Sequence, residues 1–179
     1  MAWSRLVRMK LTSTLRVRPL ALMAVCLLAR AADPARTVFV VRHAERAGGM
    51  SADVGISDAG RCRAETLARM LADAGVKAIY VTELVRTQQT AAPLAKKLGI
   101  RPEVIAADID VAARLRAREP GGSVLVVGQA TTIPGIVKRL GGGDVPPIAD
   151  DEYDRLYVVT LTGPGEAAVA MLRYPGCAQ

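Results

Sequence analysis

Short apolar runs alternate with helical patterns along this chain, and that alternation is the feature that most restricts its fold. The runs at 37–41, 77–81 and 123–127 are rich in β-branched residues and have the length of buried strands. Strands that alternate with helices in sequence form mostly parallel sheets with helices on both faces. The pattern therefore predicts an α/β fold, a three-layer α/β/α sandwich with a mostly parallel sheet.

The first two helices are predicted from their spacing and from the residues that begin and end them. Ser57 can cap a helix that stops by Gly75 and has an apolar face spaced i, i+3, i+4, i+7. That face consists of Ala64, Leu67, Ala68 and Leu71. The second helix is predicted over 87–98 and should end at Gly99, with Pro93 inside it.

The remaining elements are shorter. A strand is predicted at 103–106 and a helix with weaker spacing at 110–118. A helix over 133–140 could be capped by Thr131 or Thr132, with Pro134 in its first turn. Two last runs, at 156–161 and 168–172, predict a pair of strands that completes the sheet.

The first 31 residues have the composition of a secretory signal peptide. Five basic residues and no acidic residue precede a short apolar run at 20–28, and Ala29-Arg30-Ala31 offers small residues where a signal peptidase reads them. The apolar run is far shorter than the ~20 residues that a membrane span needs. We therefore expect a signal peptide over 1–31, one exported, periplasmic domain over 32–179, and no stable membrane span; a disordered extension is the alternative.

The positive charge of the chain belongs mostly to this leader. Removing its six basic residues from the 24 in the chain leaves 18, against 17 acidic residues. A domain with nearly equal numbers of basic and acidic residues gives no case for nucleic-acid binding.

Cys62 and Cys177 could pair in an oxidising compartment, although the sequence does not show whether they meet. The spacing of cysteine and histidine does not predict a metal site.

A group of charged and polar residues follows the ends of the predicted strands. His43, the only histidine, comes directly after the first strand, between Arg42 and Arg46. Arg86 lies near the start of the second helix, and Gln129 follows the strand at 123–127. Ligands bind beyond the carboxyl ends of parallel strands, so these side chains should share one edge of the sheet. Arginine binds phosphate, and a neutral imidazole can attack phosphorus. The expected site is a phosphate pocket with a histidine nucleophile.

These segments resemble the histidine phosphatase superfamily, the phosphoglycerate mutase-like group. Arg42-His43-Ala44 is similar to the family's opening Arg-His-Gly motif, and Arg46 stands where many members have a second phosphate-binding arginine. Arg86 matches the arginine of the family's middle segment. The resemblance implies a phosphoglycerate mutase-like fold of the small phosphatase branch, and a phosphohistidine intermediate on His43. It implies neither a metal nor a cofactor, because the arginines supply the positive charge.

One residue departs from the family pattern. The segment 124–132 resembles the one that carries the family's second histidine, but Gln129 stands in its place. Glutamine can donate hydrogen bonds to phosphate but cannot carry positive charge. Losing one donor that is preorganised for a charged transition state typically costs about 10²–10³ in rate. The general acid is not fixed by a motif, and Asp108, Asp110 and Glu83 are its candidates.

The sequence therefore predicts an exported phosphomonoester phosphatase that acts through His43, with Arg42, Arg46, Arg86 and Gln129 binding phosphate, at full or reduced activity. The alternative is a phosphate- or phospholigand-binding pseudophosphatase, and a weaker third hypothesis is a structural envelope protein. The expected partner is a small phosphomonoester or inorganic phosphate.

The acidic run 150–154 lacks the spacing of a calcium loop and is predicted to be a solvated loop. The oligomeric state is left open.

Overall fold

A six-stranded mixed sheet forms the centre of the fold. The computed structural model describes residues 36–49, 51, 53–106, 111–117, 122–163 and 165–177. The strands are β1 (Arg36–Arg42), β2 (Val76–Val81), β3 (Glu103–Val104), β4 (Ser123–Gly128), β5 (Arg155–Gly163) and β6 (Glu166–Arg173). They are ordered β3-β2-β4-β1-β5-β6. The first four in this order run parallel, β5 pairs antiparallel with β1, and β6 pairs antiparallel with β5. The prediction of a mostly parallel sheet is confirmed.

Helices cover both faces of this sheet. They are α1 (Asp58–Leu71), α2 (Val85–Leu98), α3 (Val111–Ala117) and α4 (Ile133–Val137), the last followed by a π-helical turn, Lys138–Gly142. On one face, Leu67 of α1 and Leu94 of α2 belong to the same buried cluster as Val127. On the other face, residues of α3 and α4 belong to a cluster that includes Val126. Adjacent residues of β4 thus face opposite layers, and the three-layer sandwich is confirmed.

The helix signals in the sequence work as expected, with small shifts in boundaries. Ser57 caps α1, its hydroxyl accepting a hydrogen bond from Gly60 N at 3.1 Å. Gly99 ends α2 in the left-handed conformation, with φ 66°. α1 ends at Leu71, and Gly75 instead supplies the left-handed residue of the turn into β2. α2 begins two residues earlier than predicted, and so Arg86 lies inside its first turn.

The helix after β4 differs from the prediction. α4 is only five residues long, and the predicted helix continues as the π-helical turn, in which Gly141 has a φ of 94°. Thr132 takes the cap position, but its hydroxyl makes no capping hydrogen bond. It accepts from the backbone N–H of Gln129 at 3.0 Å and donates to the carbonyl of Gln129 at 3.2 Å. Pro134 does lie in the first turn. The hydroxyl predicted to cap the helix instead fixes the turn that carries Gln129.

The two cysteines whose pairing the sequence left open form a disulfide. Cys62 of α1 is bonded to Cys177 in the segment after β6, and their Cα atoms are 5.7 Å apart.

Among the residues that the structure describes, no helix is long and apolar enough to cross a membrane. The predicted signal peptide at 1–31 and the general-acid candidates Asp108 and Asp110 lie outside the described residues.

Candidate active site

His43 lies at the carboxyl end of β1, next to the end of β4. Its backbone N–H donates to the carbonyl of Gly128 at 2.9 Å, which extends the parallel pairing of the two strands by one bond. Its neighbour Ala44 is fully buried and donates from its N–H to the hydroxyl of Thr90 on α2, at 2.9 Å. The segment after β1 is therefore held from two sides, and the imidazole is only 4% exposed.

The chemistry of the imidazole follows from its hydrogen bond and its burial. Nδ1 of His43 lies 2.8 Å from the carbonyl oxygen of Ala44. A carbonyl can only accept, so Nδ1 carries the hydrogen, and Nε2 of the neutral ring carries a free lone pair. Burial, opposed by the bond to Ala44 and reinforced by nearby arginines, lowers the pKa of His43 to about 4. At neutral pH the ring is therefore uncharged, which is the state that a nucleophilic imidazole requires.

The three predicted arginines act electrostatically on this ring. The charges of Arg42, Arg86 and Arg46 each contribute to lowering the pKa of His43. Arg42 and Arg86 are buried, at 6% and 8% exposure, whereas Arg46 is exposed. Burial and the charges of Arg46 and Arg42 also lower the pKa of Arg86. Crowded positive charge around a neutral nucleophile is the electrostatic environment that a phosphate dianion requires.

Arg42 also binds the backbone of a distant loop, a contact that the sequence did not predict. Its Nη1 donates to the backbone carbonyls of Ala149, Asp150 and Glu152, at 2.8 to 2.9 Å. The acidic run 150–154 is a loop with Asp150 and Asp151 exposed, as predicted, and Arg42 additionally anchors its backbone beside the site. Outside the site, Glu152 bonds to Arg155 and Arg173, and the bond from Arg155 lowers the pKa of Glu152 to about 2. Arg42 both borders the site and fixes one of its walls.

Gln129 is in direct contact with one of the phosphate-binding candidates. Nη2 of Arg86 donates to Oε1 of Gln129 across 3.3 Å. Because a guanidinium has only donors, the amide oxygen must face Arg86, and the amide NH₂ is the group that remains to donate to an anion. The predicted meeting of the end of β4 with the start of α2 is thus present.

Tyr153, in the loop held by Arg42, is a site residue that sequence reasoning missed. Its ring centroid is 6.0 Å from that of His43, at an interplanar angle of 55°. Cζ of Arg42 lies over the same ring, 4.1 Å from its centroid, in cation–π geometry. The only signal for it in the sequence is one aromatic residue within an acidic run, and that signal does not indicate which strand end the loop approaches.

A second layer of contacts fixes the segment between His43 and Arg46. Glu45 accepts two hydrogen bonds on Oε1 from Arg63 of α1, at 2.8 and 2.7 Å. Arg63 also donates to the carbonyl of Tyr174 at 2.9 Å, next to the disulfide. Gly60 allows α1 to approach closely, because a side chain there would collide with the carbonyl of Glu45. Glu45 thus positions Arg63, which is not one of the predicted phosphate-binding arginines.

Two further acidic residues near the site have clear positions. Glu83 is exposed, and its backbone carbonyl, rather than its carboxylate, bonds to Gln88 at 2.9 Å. The sequence did not predict a role for Asp53. Its Oδ1 accepts a hydrogen bond from Val85 N at 2.9 Å, at the start of α2. This contact ties the segment before α1 to the helix that carries Arg86.

Comparison with known proteins supports the resemblance seen in the sequence. Residues 38–108 match the model of the histidine phosphatase superfamily (branch 1). This match contains the segments of His43 and Arg86, and it ends before Gln129. No curated protein sequence matches the chain.

Solved structures show the same fold at low sequence identity. The protein histidine phosphatase SixA, solved with tungstate, is 21% identical, with a TM-score of 0.64 over 76% of this chain and 96% of that chain. A protein of Nakamurella multipartitia assigned as a SixA phosphohistidine phosphatase is 23% identical, with a TM-score of 0.60 over 81% and 98%. A mycobacterial glucosyl-3-phosphoglycerate phosphatase is 15% identical, with a TM-score of 0.56 over 80% and 100%.

Proposed function

We propose that this chain, which has the fold and the branch 1 segment of the histidine phosphatase superfamily, hydrolyses phosphomonoesters through a phosphohistidine on His43. The observation that carries the proposal is the state of His43: a buried, neutral imidazole with Nε2 free, lying in the field of Arg42, Arg46 and Arg86. A structural histidine would have no need of three cations around it.

In the proposed reaction, the arginines bind the peripheral oxygens of the phosphoryl group. Nε2 of His43 then attacks phosphorus, and the bond to the leaving oxygen breaks. The Nδ1 hydrogen bond to Ala44 keeps the ring in the reactive tautomer and is a good partner for the positive charge that develops. Water then attacks the phosphohistidine and releases phosphate. The guanidinium groups offset the charge of both transition states, as preorganised donors do elsewhere.

The second candidate is a phosphate- or phospholigand-binding protein with little turnover. Gln129 favours it, because its amide supplies a neutral donor beside Arg86 where the family resemblance places a histidine. Both candidates require an anion pocket, and they differ only in turnover.

A phosphatase assay separates the two candidates. Phosphate release is measured on a panel of alkyl phosphates, aryl phosphates and a phosphohistidine peptide, with His43→Ala as the control. We expect measurable release that falls by about 10³-fold or more in the variant. Saturable oxyanion binding with no His43-dependent release from any substrate would support the binding protein. A protein that shows neither His43-dependent phosphate release nor oxyanion binding would contradict both the phosphatase and the binding function.

We further propose that the protein is exported to the periplasm. Support comes from the basic, apolar and small-residue order of the leader and from the Cys62–Cys177 disulfide, since such bonds persist in oxidising compartments. N-terminal sequencing of the protein from the cell envelope should begin at Ala32. Recovery of the intact chain from the cytoplasm alone would contradict the proposal.

A further inference from the structure

A phosphomonoesterase needs a proton donor for the leaving oxygen, and two of the described carboxylates closest to the site in sequence have other partners. Glu45 is bonded to Arg63, and Asp53 accepts from the start of α2. The third, Glu83, is exposed. Another group with an acidic hydrogen lies beside His43.

Tyr153 is this group, and two contacts fix its position. Its ring centroid lies 6.0 Å from that of His43. Cζ of Arg42 lies over the same ring, 4.1 Å from its centroid. The ring thus stands beside His43 and against Arg42, one of the groups expected to bind the phosphoryl group.

The loop around Tyr153 is well anchored. Its neighbour Glu152 is held through its carbonyl by Arg42 and through its carboxylate by Arg155. Its other neighbour, Asp154, accepts from the backbone N–H of Tyr174 at 2.9 Å. Among the described residues, the hydroxyl of Tyr153 has no hydrogen-bond partner. The ring is therefore preorganised, and its hydrogen is available to a ligand.

We propose that Tyr153 is the proton donor to the leaving oxygen, and that the site consequently favours alkyl phosphomonoesters, whose alkoxide is a poor leaving group. This inference rests on the proposed phosphatase function. As Nε2 of His43 forms its bond to phosphorus, the electron pair of the breaking P–O bond goes to the leaving oxygen, which takes the phenol hydrogen. In the second step, the phenolate takes a proton from the water that attacks phosphorus, and the N–P electron pair returns to Nε2.

A phenol suits this role because an alkoxide is far more basic than a phenolate, so the transfer is favourable as the bond breaks. When an aryl phosphate has an electron-withdrawing ring, its phenolate is a good leaving group and needs no proton to leave. The role of Tyr153 should therefore depend on the leaving group, which a purely structural role would not do.

The test measures kcat/KM of the whole protein on glycerol 2-phosphate and on p-nitrophenyl phosphate, in the parent and in Tyr153→Phe. We expect the variant to lose about 10²-fold on the alkyl substrate, the usual size of general-acid catalysis, and less than about 3-fold on the aryl one. Tyr157→Phe is the matched control, since it removes a hydroxyl that accepts from Arg155 in the buried layer, and it should leave both values within about 3-fold.

Each outcome has a defined meaning. Equal losses on both substrates, no loss on the alkyl substrate, or a parent that cleaves only the aryl substrate would overturn the role of Tyr153 while leaving the phosphatase function intact. A parent without His43-dependent release from either substrate would overturn the phosphatase function and this role with it. The thermal shift of Tyr153→Phe with vanadate should match that of the parent; loss of that shift would make Tyr153 a binding residue instead.

Discussion

Arg86 donates from Nη2 to Oε1 of Gln129 across 3.3 Å, and this contact links the first turn of α2 to the end of β4. The pair brings a permanent cation and a neutral amide to the same edge of the sheet as His43. A histidine in place of Gln129 could accept from Arg86 with one ring nitrogen and donate to a phosphoryl oxygen with the other. Protonated instead, it would donate with both ring nitrogens and carry the positive charge that glutamine cannot carry.

Gln129→His should therefore raise kcat on a generic phosphomonoester by about 10-fold or more, given the usual value of a charge-stabilising donor. Steady-state kinetics on the parent and the variant would measure the gain. The double variant with His43→Ala should show no gain. A fast parent that gains nothing would mean that Gln129 already performs this role or that it does not contact the substrate.

Oxyanion binding should depend on Arg46 without any loss of fold. Arg46 is exposed and pairs with Ile56 through its backbone, so Arg46→Ala removes charge but no buried contact. A vanadate concentration 100 times the dissociation constant should stabilise the parent by about 2.7 kcal/mol, and Arg46→Ala should weaken vanadate binding by about tenfold. A melting scan measures both. Arg69→Ala, an exposed arginine at the end of α1, is the control and should bind as the parent does.

Arg42→Ala should behave differently, because Arg42 also holds the loop 149–152. Its Nη1 donates to three backbone carbonyls, and the variant leaves these without their charged partner. We expect the free energy of unfolding to fall by about 3 kcal/mol even without ligand, the scale of hydrogen bonds to charged groups. Denaturant unfolding without phosphate measures this. Unchanged stability would mean that the carbonyl contacts contribute little, and that Arg42 serves the ligand alone.

The protein should lose stability in acid through His43. The pKa of this residue is lowered to about 4 in the folded chain, from 6.5 in the unfolded chain, mainly by burial. Above pH 6.5 both states hold the ring neutral; as the pH falls towards 4, only the unfolded state takes up a proton and is favoured. The loss should approach about 3 kcal/mol below pH 4.

Because the chain has one histidine, its imidazole gives a single resonance that can be followed by NMR. The midpoint of its titration should lie near 4, and His43→Gln should remove this component of the acid destabilisation. A midpoint near 6.5 would show that the ring is solvated and would contradict a buried nucleophile.

Much of the fold and most of the site follow from the sequence alone, for local reasons. The order and approximate positions of the strands, the Ser57 cap and the Gly99 stop depend on neighbours within a few residues, and they are where the sequence places them; the lengths of β3, β5 and β6 differ from the prediction. His43, Arg86 and Gln129 could be assigned to one edge because parallel strands bring their carboxyl ends together. The contacts that the sequence did not predict are long-range ones.

Three examples show why those contacts were missed. The hydroxyl of Thr132 has two backbone partners within reach, the helix start and Gln129, and propensity does not choose between them. The loop of Tyr153 is held beside the site by Arg42, more than 100 residues earlier, which binds carbonyls of the loop. The pairing of Cys62 with Cys177 likewise depends on where the chain passes after β6.

The most direct test of the central claim is to trap the phosphorylated protein. A radiolabelled phosphomonoester is mixed with the parent and with His43→Ala, the reactions are quenched in alkali within one turnover, and the label is located by peptide mapping. The proposed mechanism predicts an acid-labile, alkali-stable label on the peptide that contains His43, and none on the variant. Phosphate release by the parent with no such label, or equal labelling of the variant, would contradict it.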